Sequence, residues 1–288
     1  MPDLFHAQSL LHGLAGLRFG HPVYLYRQTD STNAVARALA EGGAREGLLV
    51  VAEAQSAGRG RAGRRWITTE GTALAFSLVL RPAVPPPQAA RLTMLAGLAV
   101  CEAIEQVCGV PAALKWPNDI LVGGRKAGGI LLEAVSGGGP DVTPDDERLE
   151  FAILGIGLNI EQAPPPDEVD FPATALQLEA GRVVDRLKLL RAILQRLEAH
   201  YPRLAASEAG GLRDEWAARL AWMGEPVVAH TPEGDYDGLA EATDVDGALI
   251  VQLASGERVR VRAGDVQLRR MQIRDEVHLP RPQVLGEG

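Results

Sequence analysis

Cysteine is scarce in this chain, and its placement excludes a disulfide. The only two cysteines, Cys101 and Cys108, fall within one predicted helix. Seven residues at a rise of about 1.5 Å each separate them by about 10 Å, beyond disulfide reach. The six histidines are scattered, with no HxH, HxxxH or CxxC spacing, so a structural zinc site is not expected. We expect both cysteines to be buried apolar residues.

Long apolar runs and an excess of positive charge are also absent. No run approaches the roughly 20 apolar residues that cross a bilayer, and residues 1–20 lack the features of a secretory signal. The net charge of −8 argues against a protein built mainly to hold nucleic acid. With 46% hydrophobic and 23% charged residues in 288, the chain is expected to be cytoplasmic, with one large and one small domain.

One short segment is strongly basic against this acidic background. Residues 55–66 read QSAGRGRAGRRW and contain four arginines and three glycines. Glycine lets a backbone approach a ligand closely, and arginine offers a planar fork of donors for phosphate or carboxylate. The segment links two predicted strands, as an active-site loop does. It is either an anion clamp, a nucleic-acid-binding arm or a solvated basic loop.

Periodicity predicts the remaining elements of the main domain. Apolar residues at helical spacing predict helices over residues 4–17, 34–41, 88–107, 185–207 and 211–222. Strands are predicted over residues 23–26, 48–54, 72–80, 112–116, 119–122, 125–135 and 149–158. The polar residues 30–33 precede the second helix, where they suit an N-cap, and a helix N-terminus also offers free N–H groups to a ligand.

A Gly-Gly pair at positions 123–124 predicts a hairpin turn between two of these strands. With this turn, Leu121 faces Lys126. The two-residue period of a strand then places Lys115, Asp119 and Lys126 on one face of the sheet. Two lysines and an aspartate on one face of a mostly apolar hairpin indicate a functional cluster.

The part of the chain that follows this hairpin contains further turn signals and a change of pattern after residue 226. Residues 136–148 are rich in Gly, Pro and Asp and predict a turn. The GxG of residues 155–157 indicates either a tight bend at a strand end or, more weakly, a nucleotide site.

Short β segments over residues 226–268 predict a small barrel. We therefore expect a catalytic domain over residues 1–222, a second domain over 223–273 and a poorly ordered tail over 274–288.

Five motifs in order resemble biotin protein ligases. They are STN at 31–33, Gln55 with GRGRxGRxW, KWPND at 115–119, GRK at 124–126 leading into GGIL at 128–131, and GIGLN at 155–159. The resemblance covers residues 23–268 and implies an α+β fold: a mixed β-sheet with helices, related to class II aminoacyl-tRNA synthetases, plus a small C-terminal SH3-like β-barrel. Only about 30 residues precede the first motif, so the DNA-binding helical module of some family members is not expected.

The resemblance also implies roles for individual residues. Those implied for biotin are Ser31, Thr32, Asn33, Gln55, Arg59, Gly60, Arg61, Lys126 and Gly128. Those implied for ATP and the adenylate are Arg61, Arg64, Trp66, Lys115, Asn118, Gly155, Leu158 and Asn159. Those implied as catalytic are Arg59, Arg61, Lys115 and Lys126. Asp119 either holds Mg²⁺ that comes with ATP or pairs with a nearby lysine.

The implied reaction has two steps. The carboxylate of biotin attacks the α-phosphorus of ATP, giving biotinyl-5'-AMP and pyrophosphate, and a lysine of a biotin carboxyl carrier domain then attacks the acyl carbon. The expected partners are biotin, ATP and that carrier domain, without DNA or membrane, and a homodimer is left open. The basic loop is expected to act as a lid that orders over the ligand.

Two other functions are weighed against this one. A lipoate ligase shares the fold and the acyl-adenylate chemistry. A non-catalytic RNA-binding module would use the basic loop and the small barrel, but the acidic net charge weighs against it.

Overall fold

Six helices and twelve strands are found in the described residues of the computed structural model, which are 4–66, 68–137, 148–204, 209–231, 234–262 and 267–270. The helices are α1 (Ala7–Gly13), α2 (Thr32–Glu41), α3 (Ala90–Cys108), α4 (Leu176–Ala180), α5 (Arg186–His200) and α6 (Ala209–Ala218). The first seven strands are β1 (Val23–Thr29), β2 (Leu49–Gln55), β3 (Ala73–Leu80), β4 (Ala112–Lys115), β5 (Asp119–Val122), β6 (Arg125–Gly137) and β7 (Arg148–Asn159). The last five are β8 (Pro226–Thr231), β9 (Gly234–Thr243), β10 (Leu249–Leu253), β11 (Arg258–Val261) and β12 (Gln267–Arg270).

The large sheet has two differently covered faces. Its strand order is β1-β2-β3-β7-β6-β5-β4, with β1 and β2 parallel and the other neighbours antiparallel. In β3, Leu74, Phe76 and Leu78 join the core formed with α3 and α5, whereas Val79 packs with α2. Because successive strand residues point to opposite sides, we name these sides the α3 face and the α2 face. The mixed sheet with helices is the predicted architecture.

The hairpin prediction is confirmed. The two glycines at 123–124 have φ of 57° and 73°, the left-handed values that a tight two-residue turn requires. Leu121 pairs with Lys126 as predicted, and Lys115 pairs with Asp119 on the neighbouring strand. The pairing shifts by one residue between Leu121 and Ile120, which pairs with Gly128, so Lys126 lies with Lys115 and Asp119 on the α2 face while Gly128 faces the other side.

Several predicted boundaries differ from the observed ones. The helix predicted over 4–17 is shorter, since α1 ends at Gly13, and the helix predicted over 185–207 ends at His200 and continues as one 3₁₀ turn through Leu204. Helix α4 was not predicted, because five residues are too few to show a period. The bend expected at the GxG is wrong, since β7 runs straight through it to Asn159. The centre of the turn predicted over 136–148 lies outside the described residues.

The buried cysteines are confirmed as apolar core residues. Both are free and buried on α3. Burial raises the pKa of Cys101 to about 12 and that of Cys108 to about 11, so both thiols stay neutral at physiological pH. None of the helices in the described part of the chain is long and apolar enough to span a bilayer.

The small domain is a five-stranded antiparallel sheet in the order β11-β10-β9-β8-β12. It contacts the main domain: the indole Nε1 of Trp116 donates a hydrogen bond to the carbonyl of Gly247 at 2.9 Å. Trp222 and Gly224, at the predicted boundary, have positive φ of 65° and 77°. The exact boundary stays a prediction, and the predicted tail over 274–288 lies outside the described residues.

A buried ion pair joins the sheet to helix α5. Glu53 on β2 and Arg186 on α5 are only 3% and 5% exposed. Arg186 Nη1 donates to Glu53 Oε2 at 2.7 Å and to the carbonyl of Ala73 at 3.0 Å, and the guanidinium lies 4.3 Å from the centre of the Phe5 ring. The pair therefore fixes three segments that are distant in the chain.

Replacing Arg186 by methionine is expected to destabilise the fold by about 3–5 kcal/mol, because it leaves the Glu53 carboxylate buried without its partner. Urea unfolding of the variant measures this loss. The double variant Glu53→Leu/Arg186→Met is the matched control and should recover much of it, since it buries no charge. Equal urea midpoints for the wild type and the single variant would contradict the account.

Candidate active site

A cavity of about 340 Å³ opens on the α2 face of the sheet. It brings together residues from all five sequence motifs. The predicted site residues that line it are Ser31, Thr32, Asn33, Gln55, Arg59, Gly60, Arg61, Arg64, Trp66, Lys115, Asn118, Asp119, Lys126 and Gly155. An adjoining cavity of about 650 Å³ shares Arg64, Trp66, Lys115, Asp119 and Lys126 and extends to Asn159.

Two predicted ligand residues are not brought to these cavities. Leu158 is fully buried on the α3 face. A side chain added at Gly128 would meet Leu158 Cδ2 at 2.4 Å, so this glycine also faces the core. For Leu158 the cause is the strand period, which alternates faces along a contiguous motif, and for Gly128 it is the register shift between Ile120 and Leu121.

The floor of the cavity is a buried polar network at the start of α2. Ser77 Oγ donates to Asn33 Oδ1 at 2.6 Å, and both side chains are buried. Gln55 Oε1 accepts from the Thr32 backbone N–H at 2.8 Å. Ser31, which is the N-cap among the polar residues 30–33, makes no side-chain capping bond. Gln55 instead accepts from one of the free backbone N–H groups at this helix end. Ordered donors and acceptors in a largely apolar wall suit a small polar ring.

The GxG of β7 makes room for this network. A Cβ at Gly155 would lie 2.1 Å from Asn33 Oδ1, and a Cβ at Gly157 would lie 2.5 Å from Trp66 Cε2. Both glycines are therefore required by side chains that pack on the strand from the α2 face. The two glycines thus allow close packing of Asn33 and Trp66, which line the cavity, and they form no bend.

Trp66 lies against Gly157 between the two cavities. Its indole Nε1 is buried and has no hydrogen-bond acceptor among the described residues. Buried donors are almost always satisfied, and leaving one unpaired costs about 1–3 kcal/mol. This donor fits a ligand that brings its own acceptor.

A charged cluster stands beside the polar floor. Asp119 Oδ1 lies 2.7 Å from Lys126 Nζ, and its Oδ2 lies 3.7 Å from Lys115 Nζ. Burial lowers the pKa of Lys115, while the Asp119 carboxylate opposes that shift. Lys115 Nζ also lies 5.0 Å from the centre of the Phe171 ring. Two lysines around one carboxylate leave an excess positive charge for an anionic ligand.

The metal role of Asp119 competes with these lysine contacts. No group of three or more His, Cys, Asp or Glu that could hold a metal ion is found in the part of the chain that the structure describes. Of the two alternatives predicted for Asp119, pairing with lysine is observed, and a contact with Mg²⁺ carried by ATP stays a prediction.

The basic loop over residues 55–66, called the arginine loop from here on, lies across the cavity from this cluster. Arg61 Nη1 donates to Asn118 Oδ1 at 3.3 Å, and Asn118 in turn donates to the Ile130 carbonyl at 2.7 Å. Arg59 Nη2 lies 3.2 Å from Glu133 Oε1. These contacts hold the two arginines over the hairpin, so that the cations of the loop and those of the sheet share one cavity.

Three of the residues near the cavities that sequence reasoning missed are Ser77, Phe171 and His230. Ser77 had a detectable signal, since it is the one polar residue in the apolar run of β3. Phe171 in the second cavity and His230 in the first had none, because both lie outside the motifs and are brought in only by the fold.

Comparisons with known proteins place the chain in a family. The chain matches the family model of the biotin/lipoate A/B protein ligase family over residues 24–142 and that of the biotin protein ligase C-terminal domain over residues 223–269. The bifunctional ligase/repressor BirA of Bacillus subtilis is 33% identical and covers 93% of this chain, which spans 80% of that protein. The biotin--[acetyl-CoA-carboxylase] ligase of Paracoccus denitrificans is 38% identical, covering 81% of this chain and 95% of its own length.

Solved structures give the same result. The biotin protein ligase from Aquifex aeolicus in complex with biotin and ATP has 28% sequence identity and a TM-score of 0.71, and covers 87% of this chain and 100% of its own. The fold and the first family model define a ligase of the biotin/lipoate class. The C-terminal match and the relatives narrow this class, and the chain belongs to the biotin protein ligase family.

Replacing Asn33 by alanine is expected to weaken biotin binding about 10- to 100-fold, because the buried hydrogen bonds lost from the polar floor are worth about 1–3 kcal/mol. ATP affinity should change by no more than about twofold, since Asn33 is not among the residues that line the second cavity. Titration calorimetry with each ligand measures both. Asn159→Ala is the reciprocal control and should affect ATP more than biotin. Equal losses for the two ligands in Asn33→Ala would contradict the assignment.

Proposed function

We propose that this protein activates biotin with ATP to give biotinyl-5'-AMP and pyrophosphate, and then transfers biotin to a lysine of a biotin carboxyl carrier domain. One observation supports this most strongly. A single cavity has a buried polar floor around Asn33 and a rim of cations from the arginine loop and the hairpin. Biotin has a polar ring at one end and a carboxylate at the other, and this arrangement complements both.

The first step brings two anions together, and the cations lower its barrier. Arg59, Arg61 and Lys126 can neutralise the biotin carboxylate and the α-phosphate, and can align them for attack. Lys115, Arg64 and Trp66 line both cavities. Two cations and an aromatic ring at this position suit the phosphates and the base of a nucleotide.

Mg²⁺ belongs to this proposal as an ion carried by the phosphates of ATP. Magnesium is commonly bound by substrate phosphates with one or two carboxylates, and Asp119 is the carboxylate of the cavity lining that is placed to contact it or its water. When bound, the ion would neutralise charge on the leaving pyrophosphate.

The adenylate is a reactive mixed anhydride, so it must be kept from water. Closure of residues 55–66 over the cavity would provide that protection and would order the loop. No covalent enzyme intermediate is needed, because an amine can attack the mixed anhydride directly. Both cysteines are buried on α3, and neither lines the described cavity. A cytoplasmic location, where ATP is available, is part of the proposal.

Pyrophosphate exchange tests the substrate directly. Labelled pyrophosphate should enter ATP when biotin is added, and at most weakly when lipoate replaces it. The match to the biotin protein ligase C-terminal domain favours biotin over lipoate. Exchange that depends on lipoate alone would replace this proposal with a lipoate ligase, and no exchange with either acid would remove the enzyme assignment.

A further inference from the structure

Among the described residues of the small domain, His230 is the one that lines the cavity. His230 lies on β8 and pairs across the hairpin with Asp235 on β9. Its Nδ1 lies 2.7 Å from Asp235 Oδ1. A carboxylate accepts the Nδ1–H of a neutral imidazole, which leaves Nε2 without a proton and able to accept one. The fold thus places an oriented base at the cavity from the side of the second domain.

The transfer step requires a base. A lysine side chain has an ordinary pKa of about 10.4, so only about one amine in a thousand is unprotonated near pH 7.4. The ammonium form has no lone pair and cannot attack an acyl carbon. A group that removes this proton near neutral pH therefore contributes directly to the rate.

The other ionisable groups of the described cavity lining are poorly suited to that task. Six of them are cations: Arg59, Arg61, Arg64, Arg65, Lys115 and Lys126. The remaining one is Asp119, which is the only carboxylate of the lining and is held between the two lysines. His230 is the remaining candidate, because its Nδ1 faces Asp235 and its other ring nitrogen, Nε2, is left to accept a proton.

We propose that His230, positioned by Asp235, accepts the proton of the carrier lysine in the transfer step; this inference rests on the function proposed above. The lysine ammonium gives one proton to Nε2, and the freed lone pair attacks the acyl carbon of biotinyl-AMP. The C–N bond forms as the C–O bond to the phosphate breaks, and AMP leaves with that electron pair. The nitrogen loses its second proton to solvent, and the imidazolium returns its proton to solvent.

The exposure of His230 suits this role. Its side chain is 39% exposed, so both solvent and an incoming lysine can reach it. The floor residues around Asn33, by contrast, are buried. The carrier lysine would therefore enter between the β8–β9 hairpin and the arginine loop, from the small-domain side of the cavity.

His230→Gln tests the proposal, because glutamine keeps polar contacts but cannot take up a proton near neutral pH. The two half-reactions are measured separately on the full chain: biotin-dependent pyrophosphate exchange, and single-turnover transfer from preformed enzyme-bound biotinyl-AMP to a carrier domain. We expect transfer to fall by about 10- to 100-fold and exchange to change by no more than about twofold. His12→Gln, an exposed histidine on α1, is the matched control and should leave both steps unchanged.

Hydroxylamine separates proton transfer from a structural effect. This amine is already unprotonated at neutral pH, so it should form the hydroxamate from enzyme-bound biotinyl-AMP equally fast in the wild type and in His230→Gln. Wild-type transfer by the variant, an equal loss with hydroxylamine or a matching loss of exchange would each overturn the role of His230. Failure of the wild type to form biotinyl-AMP would instead overturn the proposed function.

Discussion

Gly155→Ala is expected to reduce biotin affinity by at least about 100-fold while the protein stays folded. The added Cβ would lie 2.1 Å from Asn33 Oδ1, 2.9 Å from Asn33 Cγ and 3.1 Å from Asn33 Nδ2. Gly155 sits in the middle of β7, paired with Ser77 on β3, so the backbone has little freedom to move away. Asn33 must be displaced, and its bond to Ser77 is lost with it. Two or three buried hydrogen bonds at about 1–3 kcal/mol each give the expected loss.

Titration calorimetry with biotin measures the affinity of Gly155→Ala, and a urea unfolding curve shows whether the variant is folded. Gly210→Ala is the matched control, because a Cβ at Gly210 on α6 meets nothing within 4 Å and φ there is not positive. It should bind biotin like the wild type. Near-normal biotin affinity in Gly155→Ala would show that Asn33 does not form the floor of the biotin site.

Arg61→Gly is expected to release biotinyl-AMP and so to biotinylate bystander lysines. Arg61 crosses the cavity from the loop and is held to Asn118 on the hairpin side. Hydrogen bonds from a charged donor are worth about 1.5–3 kcal/mol, so losing one should speed escape of the adenylate by about 10- to 100-fold. The released mixed anhydride would then react with any exposed amine.

Labelling of serum albumin added as a bystander measures this release. Arg45→Gly, at an exposed position outside the cavity, is the control and should label no more albumin than the wild type. If Arg61→Gly keeps labelling confined to the carrier domain, Arg61 is not the residue that retains the adenylate.

Local signals predicted the parts of the site that depend on turn geometry and strand period. The Gly-Gly pair at 123–124 fixed the hairpin register, and with it the cluster of Lys115, Asp119 and Lys126 on one face. Register is well specified here because a slip by one residue would move every apolar side chain of the hairpin to the wrong face.

The features that the sequence did not predict depend on contacts between segments that are distant in the chain. The GxG of β7 is required by Asn33 and Trp66, which are far away in the chain, so the sequence could not distinguish close approach from a bend. His230 reaches the cavity only because the small domain packs on Trp116, a contact across 131 residues. Leu158, which the resemblance implied for the adenylate, has its side chain in the core on the α3 face, because the strand period alternates faces within a contiguous motif.

The central claim is that this chain joins biotin to a carrier lysine at the expense of ATP. The most direct test is the intact mass of a biotin carboxyl carrier domain after incubation with the full chain, biotin and ATP. The account predicts a mass increase of one biotin that disappears when ATP is omitted and when the acceptor lysine is replaced by arginine. No mass change with carrier domains from several carboxylases, in a preparation whose fold is intact, would contradict it.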